Sequence, residues 1–126
     1  MIPTRWRTLF EEQLADADRR LNQAEQQLGA DEGGRALQGA YQAVVAASSV
    51  RVWMKDHPWE QTLPSHEMQR RAQVEFPNRF AALASLDLQQ VLTSPWTASS
   101  ATPYVAEARA FVTETTERFR QWLLAS

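Results

Sequence analysis

Arg51 and His57 are spaced R-x5-H, and this is the pairing in the chain with the most chemical reach. An arginine and a histidine held together can cleave RNA. The imidazole acts as general acid or base, and the guanidinium stabilises charge on the phosphate. The plain alternative makes Arg51 the first solvated residue beyond an uncharged stretch and His57 a helix-end residue, which the helix dipole favours there. Two fixed positions do not separate these readings. His57, Glu60, His66 and Glu67 contain the residue types of a metal site, but the two histidines lie nine positions apart across Pro58 and Pro64. A hydrolytic metal site on one helix wants histidines at i and i+4, so no metal is expected. Gly33-Gly34 lacks the lysine and spacing of a phosphate loop, and no serine sits in a G-x-S-x-G turn. No catalytic residue is assigned and no cofactor is expected.

Three tryptophans mark loops. Trp53 and Trp59 flank the segment after the second predicted helix, and Trp96 precedes the last one. If those loops share one end of the molecule, the three form an apolar patch or a base-stacking platform. Otherwise they plug the ends of a core. Burying several such rings in a 14.3 kDa chain is demanding, so a symmetric homodimer using Trp53, Trp59 or Trp96 is expected, as twofold dimers are the commonest assembly.

The elements that position these residues follow from periodicity. Phe10, Leu14, Ala17, Leu21, Ala24 and Leu28 form one stripe and predict a helix from about Thr4 to Leu28, with Gly29 as its stop and Asp31 capping the next helix. A second helix is predicted from about Glu32 to Asp56, ending before Pro58. Between Arg35 and Arg51 it carries no charge. Ala36, Gly39, Ala40, Ala43, Ala46 and Ala47 sit among Leu37, Tyr41, Val44 and Val45. A helix small or apolar on every side is buried on every side, and Ala43 and Ala47 should mark the closest helix packing. A short helix with Ser65 as its N-cap carries Met68, Ala72 and Phe76 up to Pro77. Another spans roughly Asn78 to Leu92, with Phe80, Leu83, Ala84, Leu88 and Val91 on one face. Thr102 followed by Pro103 predicts the start of the last helix, which reaches about Leu124. The result is an all-α fold: an antiparallel four-helix up-and-down bundle in one domain, with an extra short helix between the second and third core helices.

Composition excludes several classes. There is no cysteine, hence no disulfide framework. The net charge of −2 does not provide the basic stripe of a non-specific nucleic-acid binder. No run approaches the length of a membrane span. The start, MIPTRWRTLFEEQ, has acidic residues by position 11 and no apolar run of signal-peptide length, so the cytoplasm is the expected location. Twelve arginines stand against the single Lys55, which suits either phosphate reading or a base-composition bias.

Several segments, in order, resemble the HEPN domain, the small helical domain often encoded beside minimal nucleotidyltransferases. They are Ala40-Tyr41-Gln42-Ala43-Val44-Val45-Ala46-Ala47, then Thr62-Leu63-Pro64-Ser65-His66-Glu67-Met68, then Tyr104-Val105-Ala106-Glu107-Ala108-Arg109 through Gln121-Trp122-Leu123. The resemblance covers the chain from about Leu14 onward. It implies a non-catalytic domain that binds a nucleotide or a nucleotidyltransferase partner and self-associates, with Arg51, Lys55, Trp53, Trp59, His66, Trp96 and Tyr104 as candidate binding residues. Nuclease-type members carry R-x4-6-H near the start of the last core helix, and this chain has no histidine after Pro77. Their activity is therefore not carried over. The alternatives are a ribonuclease toxin of a toxin–antitoxin pair, using Arg51 and His57 and perhaps His66, and a plain dimerising scaffold.

Overall fold

The stripe Phe10, Leu14, Ala17, Leu21 and Ala24 is buried along one face of helix α1, Thr4–Gly29, in a computed structural model that describes residues 2–86 and 88–125. Helices α2 (Gly33–Asp56), α3 (Ser65–Val74), α4 (Asn78–Ala84), α5 (Leu88–Leu92) and α6 (Ala98–Ala125) follow, and no strand occurs among the described residues. No helix of the described residues is long and apolar enough to cross a membrane.

Asp31 does not cap α2. It adopts the left-handed conformation, φ 58°, and closes α1. Its N–H donates to the Leu28 carbonyl (3.1 Å) and the Glu32 N–H to the Gln27 carbonyl (2.8 Å), the paired bonds of a Schellman turn. Aspartate tolerates this conformation better than most non-glycine residues. The helix ends at Gly29 as expected, and the left-handed residue that closes the turn is Asp31, two positions on.

The three long helices form the core. Phe10 of α1 stacks on Phe119 of α6 at 5.0 Å, and Asp18 meets Arg109 at 2.6 Å, so α6 runs antiparallel to α1. Gly33 of α2 faces Thr97 just before α6, and Arg51 reaches Thr115, so α6 runs alongside α2 in the same direction. The small residues of α2 permit this approach. Ala36, Ala40, Ala43 and Ala47 are fully buried, and at Gly39 an added Cβ would lie 3.5 Å from the Arg20 carbonyl of α1. The burial is not all-round, however. Gln38, Gln42 and Val45 form an open strip, because the next segment of chain covers only part of that side.

That segment is broken into short helices. α3 packs on α2 and α4 packs on α6. Lys55 pairs with Glu75 (2.8 Å) and Asp56 with Arg71 (3.0 Å), clamping the end of α2 to α3. Pro77 separates α3 from α4, as its missing N–H requires. The continuous helix expected from Asn78 to Leu92 is instead two pieces. After Ala84 the Leu86 N–H turns back to the Leu83 carbonyl and the Ser85 hydroxyl bonds the Ala82 carbonyl. This local side-chain bond competes with helix continuation. Phe80 and Leu83 are buried as expected, while the side chain of Leu88, placed on the same face, lies outside the described ones.

The last helix begins earlier than Thr102-Pro103 suggests. Thr97 and Ser100 cap it reciprocally: the Ser100 N–H donates to Thr97 Oγ1 and the Thr97 N–H to Ser100 Oγ, each at 3.0 Å. This is capping-box geometry with serine in the usual Glu position. Pro103 is accommodated inside the early turns.

Candidate functional site

Arg51 leaves the uncharged face of α2 and enters the core. It is 8% exposed, so it is not the first solvated residue beyond the stretch. Its Nε donates to Thr115 Oγ1 at 2.7 Å, and the same hydroxyl donates to the Phe111 carbonyl at 2.7 Å. A terminal nitrogen reaches the Phe111 carbonyl and Glu114 Oε2, both at 3.4 Å. The guanidinium lies 4.0 Å from the Phe111 ring centroid, a cation–π contact. Burial lowers the Arg51 pKa, with the charge of Arg118 acting the same way and Glu114 opposing. Glu114 itself is half exposed and also holds Arg118 at 2.9 Å.

His57 belongs to a different environment. It ends α2 in the left-handed conformation, φ 48°, its N–H bonded to the Trp53 carbonyl at 3.1 Å. Its ring stacks on Trp59 at 4.9 Å with planes 12° apart, and Nδ1 lies 3.5 Å from Glu60. Trp59 in turn sits in an aromatic end-core with Trp6, Phe10 and Trp122. Among the described residues Arg51 and His57 share no hydrogen bond: Arg51 is bonded to Thr115 and Phe111, and His57 stacks in the end-core.

The three loop tryptophans do not converge. Trp53 joins Trp59 through Trp6 and Phe10 at the end where α2 finishes. Trp96 sits beside the start of α2, near Gly33, with its indole N–H on the Val91 carbonyl (2.8 Å) and its ring edge-on to Tyr104 (5.3 Å). Because α2 runs the length of the molecule, the two groups occupy opposite ends. All five tryptophans are at least partly buried against neighbours in the same chain, which removes the crowding argument for a tryptophan interface.

The remaining candidates are dispersed. Lys55 is paired with Glu75. His66 is exposed at the start of α3. Tyr104 packs edge-on to Phe80 at 5.8 Å beneath the Arg79 guanidinium. Beside His66, Glu67 is held at about 2 by hydrogen bonds from Arg70 and Arg71. No three metal-ligating side chains converge among the described residues. Most arginines likewise face carboxylates: Arg7 on Glu11, Arg20 on Asp16, Arg109 on Asp18 and Glu25.

No protein-family model, no curated protein and no solved structure matches this chain.

Sequence reasoning overlooked a groove of about 440 Å³ between α2 and α3. Tyr41, Val45, Ser49 and Trp53 line one wall, and Met68, Ala72 and Phe76 the other. Its signal was present in the uncharged run of α2, whose residues at 41, 45 and 49 share a face at helical spacing. That run announced burial, however, and only the placement of α3 turns part of it into a groove.

Proposed function

We propose that the chain is a non-catalytic, HEPN-like binding domain that self-associates and engages a protein partner, in the terms of the resemblance a nucleotidyltransferase. The observation that carries the reading is the engagement of Arg51. A guanidinium already bonded to Thr115 and the Phe111 carbonyl, and covered by the Phe111 ring, is committed to the core and not open to a scissile phosphate. His57 is stacked elsewhere. The ribonuclease alternative would require Arg51 to leave the core. A nucleotide ligand ranks below a protein partner, since Lys55, Arg70, Arg71 and Arg109 would each have to exchange a carboxylate for phosphate.

Sedimentation at micromolar concentration, with a calorimetric titration by ATP, tests this. The expected mass is twice 14.3 kDa, with ATP binding no tighter than about 1 mM, or −4 kcal/mol. A monomer removes self-association. Micromolar ATP binding reverses the order of partner and nucleotide.

A further inference from the structure

We propose that the groove between α2 and α3 is a binding site for an uncharged, flat, largely apolar small molecule. The groove's volume of about 440 Å³ falls within the roughly 300–1,000 Å³ of small-molecule sites. Its floor is firm, since Val52, Ala72 and Phe76 are buried in the packed body. Tyr41, Trp53 and Phe76 supply aromatic surface, and the Tyr41 and Phe76 rings are locked edge-to-face at 5.8 Å.

The charge pattern selects the ligand. Charged residues make up 22% of the chain, yet none lines this groove. A phosphate or carboxylate entering it would lose water and gain no counter-charge, and an ammonium would find no carboxylate. What the groove offers is uncharged hydrogen bonding. The Tyr41 hydroxyl and the Gln69 and Gln73 amides line it and make no hydrogen bond among the described residues. Ser49 donates to the Val45 carbonyl at 3.0 Å, which leaves its oxygen as an acceptor. Burial raises the Tyr41 pKa, so its phenol remains a donor at neutral pH. Aromatic walls with a few uncharged polar groups hold a planar molecule and orient its edge. Val45, 38% exposed, stands open on this lining. Trp53 is shared with the candidate binding residues, but the site does not rest on the partner reading above, which names no surface.

Two dyes with the same aromatic frame provide the test. N-phenyl-1-naphthylamine is neutral, and anilinonaphthalene sulfonate adds one negative charge to that frame. Each is titrated into the protein and its emission followed. The neutral dye should saturate at one molecule per chain and bind roughly tenfold or more tightly than the sulfonate. Val45→Arg should weaken the neutral dye about tenfold or more, while Leu124→Arg, on the exposed last turn of α6, leaves it unchanged. Gln73→Lys, at an exposed position of the lining, repeats the test if Val45→Arg fails to give a native circular-dichroism spectrum. Equal or tighter binding of the sulfonate, binding without saturation, or equal loss in Leu124→Arg would overturn the proposal. So would affinity for the neutral dye that falls as protein concentration rises, because a second copy would then be the occupant.

Discussion

Gly33→Ala should destabilise the protein by about 1–3 kcal/mol, against the usual helical preference for alanine. A Cβ at this position would lie 2.3 Å from the carbonyl carbon and oxygen of Thr97 and 2.8 Å from the Trp96 carbonyl oxygen. These are backbone atoms, which cannot rotate aside as a side chain can. Relief requires the start of α6 to move, and with it the reciprocal Thr97–Ser100 cap. The same helix contains its own controls. At Gly34 a Cβ meets nothing within 4 Å, and at Gly39 it makes ordinary contacts of 3.5 and 3.6 Å. Gly34→Ala and Gly39→Ala should therefore be neutral or stabilising by up to about 1 kcal/mol. Urea melts of the three variants check this. A Gly33→Ala variant as stable as Gly34→Ala would mean that α2 and the start of α6 are not in contact.

Arg51→Ala should cost about 2–4 kcal/mol, whereas Arg51→Met should cost less than about 1.5 kcal/mol. The difference follows from what each leaves behind. Alanine removes the aliphatic stem that packs between α2 and α6 and opens a void. Methionine refills that volume. Neither strands a buried partner: Thr115 keeps the Phe111 carbonyl, and Glu114 keeps Arg118 and solvent. Removing the acceptor is different. Thr115→Val leaves the Arg51 Nε–H buried without its 2.7 Å partner, at a cost of about 1–3 kcal/mol. Equilibrium unfolding of the three variants decides it. If Arg51→Met is as damaging as Arg51→Ala, the charge itself is required and the packing account of this residue fails.

How much of this was legible in the sequence depends on how far apart the partners lie. The α1 stripe and the halts before Pro58 and at Pro77 are local signals, and they survive in the structure. The closure of α1 by Asp31 was not legible, because aspartate is as plausible a cap as a left-handed turn, and tertiary docking of Gly33 on Thr97 chooses between them. The start of α6 was misplaced because Thr102-Pro103 presents a more familiar signature than the Thr97–Ser100 pair. Arg51 was read either as a solvated residue or as a catalytic one, since its real partner is 64 positions away. The groove depends on where α3 lies across α2, which no periodicity within either helix encodes.

The central claim is that Arg51 and His57 are parts of the framework and not a catalytic pair, and RNA cleavage measures it most directly. Purified wild-type protein and His57→Ala are incubated with RNA in the absence of metal. No cleavage above background is predicted for either. Cleavage by the wild type that disappears in His57→Ala would contradict the account and make the chain a ribonuclease.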